Sequence, residues 1–252
     1  MPKSTSSAID KALDLLEVVA RSDQPLRLSE IAAAVGAHRA TAYRILLDLV
    51  RRGWVLRAGD HYLPGAALLQ LSSSAGRHSL VALCRPVMDA LAARTDMMVN
   101  LQVLEGDRSR VVEAVQPERL LMISNLRDEL LGVERFAGPL ALVAMLDDQA
   151  RQPYLRVAED AGSSLKGPKG LLAELNRVKE IGYAIELGRN DQLVGSLSRA
   201  VLSDKGRPIC AVTLVGLNSD FDDARLDELK AELRAATDEL EVSLNPISGK
   251  KA

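Results

Sequence analysis

Three side chains near residue 40 have the types and spacing of groups that contact a nucleic acid. Arg39, Thr41 and Arg44 lie in the stretch LSEIAAAVGAHRATAYRILLDLVRRGWVL, which runs from Leu28 to Leu56. A guanidinium can donate two parallel hydrogen bonds to guanine or phosphate, and a small neighbour permits close approach. At about 100° per residue, these side chains fall away from the apolar stripe of one helix. The spacing therefore predicts a small and basic face on an amphipathic helix.

Three predicted helices position that face. Apolar residues from Ile9 to Ala20 repeat at helical spacing and form the first helix. Ser29 is the predicted N-cap of the second helix, which Gly36 ends. The third helix begins near His38 or Arg39, and its apolar stripe comprises Ala42, Ile45, Leu46, Leu49 and Val50. Two helices joined by a tight turn, the second with a basic outer face, are typical of a helix-turn-helix.

A predicted β-hairpin follows the third helix. The segment GWVLRAGDHYLPG contains a strand at Trp54–Leu56, a turn at Gly59-Asp60 and a return strand at His61–Leu63. A hairpin in this place is a wing, and we expect Arg57 and His61 near its tip to contact phosphate or the minor groove. The full set of candidate DNA-contacting residues is Ser29, His38, Arg39, Ala40, Thr41, Tyr43, Arg44, Arg57 and His61.

Charge is distributed unevenly along the chain. Residues 1–78 contain ten basic and seven acidic residues, a net +3, so the remainder carries −5 of the total of −2. All three histidines, His38, His61 and His78, also lie in the first part. A mildly basic module joined to an acidic one is consistent with a nucleic-acid reader attached to a second domain.

The second module has the pattern of an α+β domain with an antiparallel sheet. Strand-turn-strand signals occur from residue 97, with a turn at Glu105–Asp107, and from Ser196 to Val215. Helices are predicted at Leu80–Arg94, Pro139–Asp147, Leu171–Ile181 and from the capping residue Asp222 to about Ser243. A break at SSSAG separates the modules, so we expect a DNA-binding domain with the start of a linker helix at 1–75 and an effector domain at 76–252.

Several function classes find no support in the residues. The second module has no histidine beyond His78, and the chain has no nucleophile elbow, Walker loop or dinucleotide fingerprint. Cys84 and Cys210 are far apart and in no metal-binding motif, so we expect reduced, packed thiols, no metal and no cofactor. No apolar run is long enough to span a membrane, and the polar start resembles no secretory signal. We therefore expect a cytoplasmic protein that is not an enzyme and binds no membrane. A metabolite-processing enzyme or a protein-interaction module with a winged-helix appendage remains an alternative.

Nearly the whole chain resembles the IclR family of bacterial transcription regulators. SSAIDKALDLLEVVA, LSEIAAAVGAHRATAYRILLDLVRRGWV and HYLPGAALLQL are similar to its winged helix and linker. LCRPVMDALAARTDMMVNLQVLEGD and IGYAIELGRNDQLVGSLSRAVLSDKGRPICAVTLVGL are similar to its effector domain. His38-Arg39-Ala40-Thr41 replaces the family's usual Pro-Lys-Ser-Thr, and Pro139-Leu140 replaces its usual Gly-Lys.

The resemblance implies a function and a site. It implies a GAF-like effector domain that binds a small organic acid or aromatic metabolite, and a homodimer or homotetramer on palindromic double-stranded operator DNA. The positions that match the family's ligand-contacting strands and loop are Asn100, Leu140, Glu186, Ser196, Ser198, Thr213 and Val215. Because Glu186 would repel a carboxylate unless it is paired, an aromatic or hydroxylated ligand is as plausible as a simple acid.

Overall fold

The chain folds into two compact units, Met1–Ser79 and Leu80–Ala252. The computed structural model describes residues 7–22, 24–71 and 74–245. The predicted polar start at residues 1–6 therefore lies outside the described residues, as do residues 72–73 near the predicted domain border and residues 246–252 of the predicted effector domain.

In its described residues, the first unit contains four complete helices, three short strands and the start of a fifth helix. In chain order they are α1 (Ala8–Ala20), β1 (Leu26–Arg27), α2 (Leu28–Ala34), α3 (Arg39–Arg51), β2 (Val55–Ala58), β3 (His61–Pro64) and α4 (Ala66–Leu71). The strands pair in the antiparallel order β1-β3-β2. A core of Leu15, Val19, Ile31, Ala32, Ala42, Leu46, Val55 and Tyr62 joins the first three helices to the hairpin. The predicted helix-turn-helix and wing are confirmed.

The turn between α2 and α3 depends on Gly36. Gly36 has φ +62°, a left-handed conformation that glycine adopts without a steric penalty. The backbone N–H of Ala37 donates to the carbonyl of Ala32 at 2.9 Å, which closes the end of α2. The predicted cap at Ser29 is wrong, because α2 starts earlier, at Leu28. Arg27 is its N-cap, and the backbone N–H of Arg27 donates to the Glu30 carboxylate at 2.6 Å.

One long helix, α5 (Ser74–Thr95), crosses the border between the units. The SSSAG segment was expected to be a break, but Ser74 to Gly76 belong to this helix, while Ser72 and Ser73 lie outside the described residues. The units divide between Ser79 and Leu80, inside α5. The expected border at 75/76 falls inside the same helix, because small polar residues do not prevent a helix from continuing.

The second unit is built on a six-stranded antiparallel sheet in the order β6-β5-β4-β9-β8-β7. The strands are β4 (Met98–Glu105), β5 (Arg108–Val115), β6 (Leu130–Leu131), β7 (Ala184–Leu187), β8 (Val194–Leu202) and β9 (Pro208–Leu217). The helices that follow α5 are α6 (Ala137–Ala144), α7 (Gln152–Asp160), α8 (Leu171–Ile181) and α9 (Asp223–Leu244). Short 3-10 turns occupy Glu118–Leu120 and Asn218–Phe221. The predicted hairpins, α8 and the cap at Asp222 are confirmed, whereas β6, β7 and α7 were not predicted.

The two faces of this sheet have different partners. One face packs against α5 and α9 through a core that includes Met88, Leu91, Leu214, Leu233 and Leu240. The other face meets α6, where Leu142 packs on Ala200 and Ala211. Because side chains alternate along each strand, polar residues on the second face are separated from the main apolar core.

The two cysteines are neighbours in the fold despite their distance in sequence. Cys84 on α5 and Cys210 on β9 are both free and buried. A hydrogen bond from the Cys210 thiol to Cys84 raises the pKa of Cys210 and lowers that of Cys84. The prediction of packed, reduced thiols is confirmed.

Candidate DNA-binding surface and candidate effector cavity

The outer face of α3 is exposed, as its sequence predicts. His38 is the N-cap, and Ala40, Thr41 and Arg44 point to solvent. Ala42 and Leu46 on the opposite side are fully buried, so packing fixes the rotation of the helix about its axis. The small residues at 40 and 41 leave room for a flat partner to approach the backbone.

Two arginines on α3 are free to make new contacts. Among the described residues, neither Arg39 nor Arg44 has an ion-pair or hydrogen-bond partner. Arg51, about two turns beyond Arg44, is instead paired with Asp48 at 3.0 Å. Tyr43 is 38% exposed and flanks the same face. This face can therefore donate hydrogen bonds to an anion without first losing any in the protein.

The polar side chains of the wing contact other groups of the first unit. Arg57 donates from Nε to the carbonyl of Gly59 at 2.9 Å, and its guanidinium lies 5.8 Å from the centre of the Tyr62 ring. His61 Nδ1 lies 2.8 Å from Asp60 Oδ1, while His61 Nε2 accepts from Arg27 at 3.4 Å. Both ring nitrogens of His61 are thus engaged. Ser29 is exposed at the start of α2.

The second unit contains a cavity of about 300 Å³ on the second face of its sheet. Five of the predicted effector positions line it: Asn100, Glu186, Ser196, Thr213 and Val215. Apolar side chains complete much of the wall, among them Met98, Ile123, Leu131, Phe136 and Leu217. A cavity of this size, with apolar walls and a few convergent polar groups, is typical of a small-molecule site.

Strand register brings the polar positions together. One row across the sheet pairs Met98 with Val215, Val215 with Ser196, and Ser196 with Glu186. The adjacent row pairs Asn100 with Thr213 and Thr213 with Ser198. Residues two apart on a strand share a face, so both rows point to the side on which the cavity lies.

Two predicted cavity residues lie elsewhere. Ser198 is fully buried, and its hydroxyl hydrogen-bonds the Thr213 hydroxyl at 2.8 Å and the Val212 carbonyl at 3.2 Å. It therefore hydrogen-bonds the wall residue Thr213 without lining the cavity itself. Leu140 is also buried, in the cluster that joins α6 to α7 and α8. The rotation of α6 presents Ala137 and Gly138 to the cavity and turns Leu140 away from it.

Gln102 is a cavity residue that the sequence reasoning missed. Its amide donates to the Thr213 hydroxyl at 3.3 Å and accepts from Ser109 at 3.4 Å. A Cβ added at Gly138 would overlap this amide, so the glycine permits α6 to pack here. The alternation of Met98, Asn100 and Gln102 along one strand was a usable signal. Four other lining residues lie in loops, where no periodic pattern indicates which side chains face a cavity: Met122, Ser124, Asn190 and Asp191.

Two polar groups in the cavity wall differ from the rest. Asn100 is 3% exposed, and its side-chain oxygen is buried without a hydrogen-bond partner. Glu186 is 5% exposed, and one carboxylate oxygen accepts the backbone N–H of Arg189. The Thr213 and Gln102 side chains, by contrast, already bond to other protein groups. Asn100 and Glu186 are therefore two buried wall groups with unfilled acceptor capacity.

The described part of the chain shows no group of His, Cys, Asp and Glu residues that could hold a metal ion. Its helices also include none that is long and apolar enough to cross a membrane.

Two family profiles match the chain, one over each unit. The IclR helix-turn-helix domain matches residues 8–59, and the bacterial transcriptional regulator IclR C-terminal domain matches residues 72–242. The chain belongs to the IclR family of transcriptional regulators. Both the resemblance recognised in the sequence and the predicted fold class are thereby confirmed.

IclR-family proteins of known name match most of the chain. The HTH-type transcriptional regulator Rv1719 of Mycobacterium tuberculosis is 30% identical over 191 residues, which cover 74% of this chain and 73% of that protein. The transcriptional repressor IclR of Escherichia coli K12 is 23% identical over 241 residues, which cover 92% of this chain and 88% of that protein. These relatives are transcriptional regulators with a DNA-binding helix-turn-helix.

A solved structure shares the fold at low identity. The IclR homolog of Microbacterium hydrocarbonoxydans, complexed with 4-hydroxybenzoate, has a TM-score of 0.57 and 20% identity. The match covers 94% of this chain and 99% of that one. At this identity the likeness establishes the fold alone.

Proposed function

We propose that this IclR-family regulator binds palindromic operator DNA through α3 and the wing, and that a small molecule in the cavity of the second unit controls this binding. The observation that carries the proposal is the exposed face of α3. There Arg39 and Arg44 lack partners among the described residues, beside the small Ala40 and Thr41. The IclR homolog with bound 4-hydroxybenzoate supports a sensing role for the second unit.

A palindrome requires two copies of α3. Recognition helices of a dimer enter successive major grooves about 34 Å apart, so a homodimer is the smallest competent assembly and a homotetramer presents two such pairs. A ligand changes DNA affinity only if it binds one arrangement of the protein better than another. Helix α5 continues from the first unit into the second. We propose that α5 transmits the ligand-induced change of arrangement from the second unit to the first.

Glu113 on β5 offers a route from the cavity to α5. Its side chain is 6% exposed, and its Oε1 atom lies 3.2 Å from Arg127 Nη1 and 3.8 Å from Arg85 Nη1. Arg127 follows Leu126, a residue of the cavity wall, and Arg85 is on α5. Arg85 also donates to Asp89 on its own helix at 2.8 Å. A ligand that moves the 122–127 segment would change the charge around Glu113, and with it the choice of partner for Arg85.

Selection of bound sequences from random duplex DNA tests the DNA-binding role. We expect the purified protein to enrich a palindrome, and Arg44→Ala to lose about 1–3 kcal/mol of affinity at the matched base. Binding is measured at one fixed salt concentration, because affinity for DNA depends steeply on salt.

Arg21→Ala is the matched control for that experiment. Arg21 lies in the same unit, at the C-terminal end of α1, and is paired with Glu17 on the surface. Its substitution by alanine removes the same charge as Arg44→Ala. Failure to enrich any sequence, or equal losses in the two variants, would overturn the assignment of α3 as the reading element.

A further inference from the structure

The cavity wall carries carboxylates without cations. Glu186 and Asp191 both line it, and the described residues around it include no lysine, arginine or histidine. Two arginines lie close to the wall but are not part of it. Arg189 pairs with Glu174 at 2.9 Å, and Arg135 donates to the Asn190 side chain at 2.7 Å. The charged side chains that line the cavity itself are therefore both carboxylates.

The wall has buried polar groups with unfilled capacity to accept hydrogen bonds. The Asn100 side-chain oxygen is buried and has no partner, and the buried Glu186 carboxylate bonds a single backbone N–H among the described residues. A buried acceptor that lacks a partner is unfavourable, so a ligand that donates to it recovers a lost interaction. A ligand carboxylate has no proton to donate at neutral pH, whereas a hydroxyl has one.

The N-terminus of α6, in contrast to the carboxylates, favours a negatively charged ligand. Helix α6 begins at Ala137, and its first two residues, Ala137 and Gly138, line the cavity. A helix N-terminus carries about half a positive elementary charge, spread over its free N–H groups. Glu186 carries a full negative charge in the same desolvated space, where interactions between charges are stronger than in water. We expect the carboxylate to dominate, and the N–H groups of α6 to serve a neutral oxygen.

We propose that the cavity selects a small uncharged molecule with an apolar body and hydroxyl groups, and rejects carboxylates. Its apolar body packs against side chains such as Met98, Phe136 and Val215. One hydroxyl donates to the Asn100 oxygen, and a second donates to Glu186. This inference rests on the proposed function, because it takes the cavity as the effector site.

Matched pairs of compounds test this selectivity. Each pair consists of an alcohol and the carboxylate of the same carbon skeleton, for example 2-(4-hydroxyphenyl)ethanol and 4-hydroxyphenylacetate, and a panel of such pairs covers aromatic and aliphatic bodies. Ligand-detected NMR or calorimetry on the full chain measures both members at constant ionic strength. In pairs that bind, we expect the alcohol to bind at least about tenfold more tightly. Equal or tighter binding of the carboxylates, or no binding alcohol in the whole panel, overturns the proposal.

Glu186→Gln tests the residue held responsible. Glutamine keeps the size and an acceptor for the Arg189 N–H, but it removes the charge. We expect the carboxylates to gain affinity, so that the preference falls to about threefold or less. Glu180→Gln, which removes one charge from an exposed position on α8, is the control and leaves the preference unchanged. An unaltered preference in Glu186→Gln refutes the role of Glu186.

DNA binding by the same preparations separates this proposal from the one on which it rests. If carboxylates bind better and alter operator affinity, the protein is a ligand-responsive regulator and the proposed ligand class is wrong. If operator binding is normal and neither class binds, the sensing role and the ligand class both fail. If alcohols bind but no operator is found, the selectivity of the cavity holds and the proposed function fails.

Discussion

The outer face of α3 and the cavity of the second unit use polar side chains in opposite ways. On α3, Thr41 and Arg44 lie in solvent, and Arg44 has no partner among the described residues. In the cavity, Gln102 and Thr213 are almost fully buried and bond to each other. DNA is a large, hydrated polyanion, so a reader needs accessible cations, whereas a small ligand is held by desolvated groups in fixed positions. Each region therefore has the exposure and the charge that its proposed partner requires.

The difference also separates two sources of specificity. The face of α3 is defined within one helix, by residues three and four apart. The cavity is defined by strands that meet across the sheet, such as β4 and β9, and its key hydrogen bond joins residues 111 positions apart. Substitutions should therefore affect the two regions independently, and the following predictions test that separation, from the largest expected effect to the smallest.

Leu46→Ala should have the largest effect and should be confined to the first unit. Leu46 is fully buried in the core of that unit, and such a truncation costs about 2–5 kcal/mol of the free energy of unfolding. Differential scanning calorimetry should show a lower transition temperature for that unit and loss of operator binding, with ligand binding retained. Leu47→Ala, the neighbouring residue at 40% exposure, is the control and should change little. Equal loss of ligand binding in Leu46→Ala would show that the units are not independent.

Gly138→Ala should damage the cavity without affecting α3. The new methyl group would displace the Gln102 amide and break its bonds to Thr213 and Ser109, at about 1–3 kcal/mol for the buried groups left unpaired. Ligand titration should show weaker binding, while operator affinity of the free protein stays the same. Because Gln102→Ala removes the overlap, the double variant should lose less than the two single variants together. Simple additivity would argue that the contact between Gly138 and Gln102 is unimportant.

Glu113→Gln should weaken communication between the regions while leaving each intact. Without the carboxylate, Arg127 and Arg85 no longer share a charged partner. We therefore expect the free energy that couples ligand binding to operator binding to fall by about 0.5–2 kcal/mol. The measurement is the ratio of operator affinities with and without the tightest alcohol of the panel at saturation. Glu105→Gln, which disrupts an ion pair with Arg110 on the same hairpin, is the matched control. Unchanged coupling alongside normal binding of both partners would exclude this route.

Arg57→Ala should have the smallest effect and should not depend on sequence. If Arg57 contacts one phosphate, its removal lowers the slope of log affinity against log salt concentration by about one, equally for all operators. The slope is obtained from operator titrations over a range of salt concentrations. Arg21→Ala, away from the wing on α1, should leave the slope unchanged. A base-dependent loss in Arg57→Ala would instead assign it to direct reading of sequence.

The sequence by itself determined the helix-turn-helix and wing of the first unit and much of the architecture of the second. The exposed face of α3, the turn at Gly36 and the hairpin at Gly59-Asp60 follow from helical periodicity and glycine geometry, which are local properties. The family resemblance placed Asn100, Glu186, Ser196, Thr213 and Val215, all of which line the cavity. The short strand β7 was missed, since four residues give too little alternation to recognise.

Only the tertiary structure decided which polar side chains face the cavity and what remains for a ligand. Ser196 and Ser198 share a strand and a face, yet Ser196 lines the cavity while Ser198 is fully buried and hydrogen-bonds the wall residue Thr213. Leu140 lies in a helix that was predicted, but the packing of α6 against α7 and α8 turns it away. Whether the Asn100 side-chain oxygen finds a hydrogen-bond partner depends on all the residues that surround it in the fold, and in this fold it finds none. Local spacing fixes which side of a strand or helix a residue occupies, whereas burial and hydrogen-bond partners are set by segments distant in sequence.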